Sequence, residues 1–224
     1  MKATSKHEGL FAVKQSLRLF ACCAALGLAL TACSQAPSGP AAENAVTLAE
    51  GDWAIDPKAS HLAYVSVKAG EIAEANRFDN VSGSMTAEGV ARLEVALASV
   101  NTGVDIRDER MREIFFEVAE FPSAVVTAQI DPAKFAALEV GKAMVQPVTA
   151  KLVLKGMEAD VEARVQVARI SEDRVIASTT QPIIITTDMF GLTDELGELR
   201  ALAQLPSISP AVPVTFTLAF QRTS

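Results

Sequence analysis

Three cysteines, two histidines and one tight cluster of acids and arginines are the side chains in this 224-residue chain whose types could carry chemistry. Nucleophilic catalysis needs Cys or Ser beside a base, and a zinc site needs three or four converging Cys, His or carboxylate ligands. Cys22, Cys23, Cys33 and His7 all fall within the first 33 residues. Beyond them only His61 remains, on a stretch whose alternation places it with Ala63, Val65 and Val67, opposite Leu62 and Tyr64. A single histidine there reads as a surface or rim side chain. No serine sits in a G-x-S-x-G elbow, and no glycine-rich loop offers a phosphate cradle. The richest polar stretch is Asp105-Ile106-Arg107-Asp108-Glu109-Arg110-Met111-Arg112-Glu113. Asp105, Asp108 and Glu109 have the types for acid–base work. Three arginines interleave with them, however, and Asp108 and Arg112 are spaced for ordinary i, i+4 pairing on a helix surface. The expectation is a protein with no catalytic residues and no metal ligands, not an enzyme.

The elements that hold these residues begin with an address. Lys2, Lys6, Lys14 and Arg18 form a basic start, and residues 19–32 are an unbroken apolar run of 14. A membrane-spanning helix needs about 20, so the run suits a secretory signal. It ends in Leu30-Thr31-Ala32-Cys33, which resembles the lipobox of bacterial lipoproteins, where the cysteine is lipidated on sulfur, exposed by cleavage and then acylated on nitrogen. Residues 1–32 are therefore expected to be a lipoprotein signal peptide and Cys33 the lipidated anchor, since several acyl chains give stable attachment where one does not. Residues 34–50 are rich in small residues and proline without periodicity, as a flexible tether should be. Ser34, where the sorting pattern would place Asp for inner-membrane retention, directs the expectation to the periplasmic face of the outer membrane. The formal charge of −7 becomes −10 once the signal is removed, with 16 basic and 26 acidic residues left. No basic cluster exists to track a phosphate backbone, so nucleic acid is not an expected partner.

Residues 51–224 form the folded domain, and their dominant period is two. Val161, Ala163, Val165 and Val167 alternate with Glu162, Arg164 and Gln166, and Val212, Val214, Phe216, Leu218 and Phe220 share one face. Such alternation marks antiparallel strands with one face on a core. Glu88-Gly89, Lys155-Gly156 and Ser171-Glu172-Asp173 punctuate them, and Lys155-Gly156 predicts a tight hairpin. Two stretches read as helices. One covers residues 105–116, with Asp105 as N-cap and Ile106, Met111, Ile114 and Phe115 on one face; the other covers 193–205 and stops before Pro206. About eight strands with one or two short helices predict a mainly β barrel or sandwich. An eight-stranded barrel holds side chains or one small ligand.

A series of short motifs sharpens that picture. Trp53-Ala54-Ile55-Asp56-Pro57, Ser60-x-Leu62-x-Tyr64, Val81-Ser82-Gly83, Ser99-Val100-Asn101-Thr102-Gly103, Arg107-Asp108-Glu109-x-Met111-Arg112, Phe115-Phe116-Glu117-Val118, Phe121-Pro122, Lys155-Gly156 and Phe190-Gly191-Leu192 follow one another in order. Together they resemble the YceI-like family over residues 52–220. The chain departs from that family where Ala59, Lys68 and Arg110 stand at positions often occupied by histidine, and the segment before Phe115 is one residue shorter. The resemblance implies an extended, lipocalin-like antiparallel barrel around a long apolar cavity that holds polyisoprenoids, isoprenoid quinones or fatty-acid-like molecules. Strand alternation aligned on that pattern makes Leu62, Tyr64, Val81, Met85, Leu152, Leu154 and Phe216 candidate ligand-binding residues. Phe115, Phe116, Phe121 and Phe190 are candidates for lining or closing the ends.

The resulting expectation is an envelope lipoprotein that sequesters or carries an apolar amphiphile. Its partners are a lipid ligand and, through the anchor, the membrane, with room for a homodimer. No cofactor is called for beyond a bound isoprenoid quinone or polyprenyl lipid. The competing expectation is an envelope structural or interaction lipoprotein whose barrel is filled by its own side chains.

Overall fold

The computed structural model describes residues 51–223; the expected signal peptide, Cys33 and the tether lie outside them. Twelve strand segments make one antiparallel sheet: β1 (Trp53–Ile55), β2 (His61–Lys68), β3 (Ile72–Phe78), β4 (Val81–Met85), β5 (Val90–Ala96), β6 (Val100–Asn101), β7 (Ser123–Gln129), β8 (Ala143–Leu154), β9 (Met157–Arg169), β10 (Arg174–Thr179), β11 (Ile183–Thr186) and β12 (Ala211–Arg222). Pairing runs β1-β4-β5-β7-β8-β9-β10-β12, and β12 returns to β1, so eight strands close into a barrel. Closure removes every free edge from that ring.

The remaining segments lengthen the barrel at one end, called the upper end below. Strand β12 pairs with β1 through Phe220–Arg222 and with β2 through Val214–Thr217. Its other edge is shared in the same way by β10 and then β11. Strands β3 and β6 likewise continue β4 and β5. The twelve segments are thus eight long strands in up-and-down order, four of them bent, as the alternation predicted. One bend has a clear cause: Pro57 cannot donate to a ladder, and the Asp56 side chain instead accepts from the Lys58 N–H at 3.0 Å to cap a 3₁₀ turn. Pro147 is tolerated inside β8 for a related reason. Strand β7 pairs only with Lys151–Val153 of β8, so the missing N–H falls on an edge that carries no ladder bond.

The Lys155-Gly156 hairpin forms as expected, with both residues at positive φ (48° and 75°) and Leu154 opposite Met157. Helix α1 (Asp105–Arg110) continues into a single π turn over Met111–Phe115, and α2 covers Thr193–Leu202. Both lie at the upper end, where β6 gives way to β7 and β11 to β12.

Three helix expectations are corrected. The N-cap of α1 is Val104, with no side-chain bond, because its carbonyl accepts the first helical hydrogen bonds, from the Arg107 and Asp108 N–H groups. Asp108 is buried and does not pair with Arg112; its carboxylate accepts from the Thr102 N–H (2.8 Å) and hydroxyl (2.5 Å), closing the helix onto the preceding loop. Ile106 faces solvent, since α1 is too short and too exposed to bury a full stripe. The π turn bonds Phe116 N–H to the Met111 carbonyl, and the extra residue in that turn brings both Phe115 and Phe116 inward.

Candidate functional site

A cavity of about 610 Å³ occupies the barrel. Its walls come from the inward face of each long strand. On β8 those positions are Gln146, Val148, Ala150, Leu152 and Leu154, and on β9 Val161, Ala163, Val165 and Val167. Period-two alternation is the whole reason these side chains meet. Nearly all the lining is aliphatic or aromatic. Tyr64, Phe78, Phe116 and Phe115 form a chain of rings at the upper end, with successive centroids 5.7, 5.8 and 5.0 Å apart.

The upper end is also where the polar wall residues gather. Across β2 and β3, Tyr64 stands opposite Asn76 and Ser66 opposite Glu74. The Glu74 carboxylate accepts from Lys68 Nζ at 2.8 Å and from Arg107 Nη1 at 2.6 Å, while Arg107 Nη2 donates to the Thr102 carbonyl at 2.7 Å. The Lys68 hydrogen bond, with Arg107 beside it and against a smaller cost of burial, holds the Glu74 carboxyl below its usual range. Burial pushes the Tyr64 phenol well above the usual tyrosine range, outweighing Arg107, so it stays protonated. Above this cluster Lys155, in the hairpin, ties the caps to the barrel. Its Nζ is 2.6 Å from Glu195 of α2 and 3.3 Å from Glu117. Burial alone would lower its ammonium, yet the hydrogen bonds to the two glutamates more than offset this and hold it above the usual lysine range.

Nine of the eleven sequence-derived candidates line the cavity: Leu62, Tyr64, Met85, Phe115, Phe116, Leu152, Leu154, Phe190 and Phe216. Gly191 at φ 66° lets the chain turn sharply between Phe190 and Leu192, so both bury completely. Val81 and Phe121 stand elsewhere. Val81 shares a face with Met85 but its short side chain is covered within the core cluster that contains Ile55, Val95 and Leu97. Phe121 follows the turn begun by Glu117 (φ 49°), and its ring lies against Gly156. Of the three acids considered for catalysis, Asp105 and Glu109 are exposed and Asp108 is committed to Thr102, and none reaches the cavity wall. His61 is exposed, on the barrel exterior.

Sequence reasoning missed Trp53, Phe135 and the polar set Ser66, Lys68, Glu74, Asn76 and Arg107, all of which line the cavity. The alternation that selects Leu62 and Tyr64 continues directly through Ser66 and Lys68, so that signal was present. Arg107 reaches the wall from a helix 33 residues beyond Glu74, and no local pattern announces it.

Comparison with known proteins agrees with this architecture. A sequence profile of the YceI-like domain matches residues 53–220. A polyisoprenoid-binding domain from Saccharophagus degradans, implicated in plant cell wall breakdown, is 37% identical, with 78% of this chain and 100% of that domain aligned at a TM-score of 0.75. BcnA of Burkholderia cenocepacia shares the fold at 20% identity and a TM-score of 0.56, over 74% of this chain and 98% of its own. A search of curated proteins gives no match.

Proposed function

Because the chain belongs to the YceI-like domain family, we propose that it binds an apolar amphiphile in the barrel and sequesters or carries it in the bacterial cell envelope. The amphiphile is a polyisoprenoid, an isoprenoid quinone or a fatty-acid-like lipid. The observation that carries this reading is the cavity itself, about 610 Å³ with walls that are almost wholly hydrocarbon. An apolar tail gains about 25 cal/mol for each Å² removed from water, and such walls ask it to desolvate few polar groups. The Saccharophagus degradans relative, a polyisoprenoid-binding domain, supports the ligand class. A barrel filled by its own side chains is disfavoured, because small-molecule pockets begin at roughly 300 Å³ and this space is larger.

The envelope setting rests on the apolar run at residues 19–32 and on Cys33, which would hold the cavity close to the outer-membrane leaflet where such ligands reside. Binding without turnover is the reading best supported by a cavity that none of Asp105, Asp108 and Glu109 reaches.

Residues 34–224, produced without the anchoring cysteine, should carry a lipid visible by native mass spectrometry and recoverable by solvent extraction. Val148→Trp, which projects a large ring into the cavity from β8, should lose that lipid while keeping the far-ultraviolet dichroism of the barrel. Ligand-free protein that also takes up neither geranylgeraniol nor a prenylated quinone would sink the proposal.

A further inference from the structure

Charge is segregated across α1. Asp105 and Glu109 of the helix and Glu113 of the π turn are all exposed and recur at i, i+4 spacing, so they form its outer stripe. Arg107, Arg110 and Met111, at i, i+3 and i+4, form the stripe that lines the cavity. The cavity as a whole shows the same bias, in a chain whose formal net charge is −7. Among the described residues five charged ones border it: Lys68, Arg92, Arg107 and Arg110 are cationic, and Glu74 is the single carboxylate. Three of the four cations are already committed. Lys68 and Arg107 share Glu74 at 2.8 and 2.6 Å, and the exposed Arg92 reaches Glu94 at 3.2 Å. Asp108, the remaining acid of α1, is taken by Thr102. Arg110 differs from all of these. It makes no hydrogen bond or ion pair with any described residue, it is half-buried, and its guanidinium nitrogens stay accessible.

A tail that fills the barrel takes water away from the cavity side of Arg110. A neutral head then leaves the guanidinium short of acceptors there, which is costly for a charged group. A cationic head meets like charge. A head with two or more anionic oxygens matches the planar fork of N–H donors and supplies the missing counter-charge. Glu74 does not oppose such a head, because Lys68 and Arg107 already neutralise it. Resting on the reading of the cavity as a container for an apolar amphiphile, we infer that Arg110 selects an amphiphile with an anionic oxygen head and holds that head at the upper end. The carboxylate of a long-chain fatty acid and the phosphate of a prenyl phosphate share this chemistry. The hydrocarbon tail then runs down the barrel.

The test is displacement of the neutral probe N-phenyl-1-naphthylamine from the full chain at about pH 8, where a carboxylate is ionised. Palmitate is compared with hexadecanol, and geranylgeranyl monophosphate with geranylgeraniol. In at least one pair the anion should bind roughly tenfold or more tightly than its alcohol. A larger ratio in the first pair assigns the head to a fatty acid, and a larger ratio in the second assigns it to a prenyl phosphate; either supports the inference. Arg110→Gln should reduce the larger ratio to within about twofold. Arg112→Gln removes the same charge from a residue outside the cavity lining and should leave both ratios as they were. Equal binding of anion and alcohol in both pairs overturns the head-group assignment while the container reading stands. So does a ratio that survives Arg110→Gln, or one that falls as far in Arg112→Gln. Failure of all four ligands to bind overturns the container reading and this inference with it. Arg110 has no partner to lose, so its replacement should keep the fold; should Arg110→Gln not fold, the ratios in the unaltered protein and in Arg112→Gln decide.

Discussion

Both ends of the barrel are closed by packed apolar side chains, and they differ in how far charge takes part. At the lower end Trp53, Leu138 and Val175 are buried, with Met85, Phe135, Met144, Val167 and Phe220 packed around them. The guanidinium of Arg222 lies 4.6 Å from the Trp53 ring centre, and the buried Arg169 donates to the Leu138 carbonyl at 3.0 Å. This is a stopper of packed rings and aliphatic chains, and opening it would expose a large apolar area. At the upper end the caps bury apolar side chains as well, Phe115, Phe116, Phe190 and Leu192 among them, and are fastened further by charged side chains: Lys155 to Glu195 and Glu117, and Arg107 to Glu74. The Glu74 pairs are partly exposed and contribute little each, whereas Lys155 is nearly buried and its two pairs contribute more. The contrast gives the container a direction: on the proposed function, the ligand enters and leaves at the upper end, with its tail toward Trp53.

Trp53→Ala attacks the lower stopper and should have the largest effect, a loss of about 4 kcal/mol in chemical denaturation followed by far-ultraviolet dichroism. A loss under about 1 kcal/mol would mean that the lower end is not the packed closure described here. Lys155→Met targets the upper closure. It removes the shared partner of Glu117 and Glu195, and its expected cost is about 2 kcal/mol, because the lysine side chain is only 9% exposed. Its sharper signature is kinetic: exchange of a bound prenol or quinone should quicken, whereas Trp53→Ala should change the tail length accepted.

Acid should act weakly, and mainly at the upper end, because the lowered carboxyls at the lower end, Glu88 and Asp173, are exposed. Glu74 is held below its usual 4.5 chiefly by the Lys68 hydrogen bond. For Glu195 burial pushes upward, but the Lys155 hydrogen bond prevails and the carboxyl is also lowered. Carboxyls with depressed folded-state values stabilise the protein above about 4.5, and that contribution is lost as the pH falls through the folded-state values. Stability should therefore be insensitive to these two groups from pH 7 to 5. Below about 4.5 amide exchange in α2 and in β2–β3 should rise while the segments around Trp53 stay protected, with less than about 1 kcal/mol from each pair. Equal loosening at both ends would break the comparison.

Much of the barrel was legible along the chain because strand alternation and turn chemistry are local. The face carrying Val161, Val165 and Val167 follows from a period of two, and the hairpin at Lys155-Gly156 from a glycine that adopts positive φ without cost. The site was legible in part. Leu152, Leu154 and Phe216 reach the cavity by the same alternation, but alternation cannot separate an inward residue that meets open space from one covered by its neighbours. Val81 and Met85 differ in just that way, although they lie on the same face of β4. Phe121, four positions after the left-handed Glu117, lies against Gly156 of the upper hairpin and not in the cavity wall.

The order of apolar and polar residues, together with its punctuation, was sufficient for an antiparallel barrel with a hydrocarbon interior, since each of those features is set within a few positions of chain. The open space and its polar end required the closed ring. Tyr64, Asn76 and Arg107 come from two strands and a distant helix, and whether their atoms find partners depends on register and on side-chain volumes around the barrel. These are non-local quantities. They become defined when β12 closes onto β1 and the caps settle onto the rim.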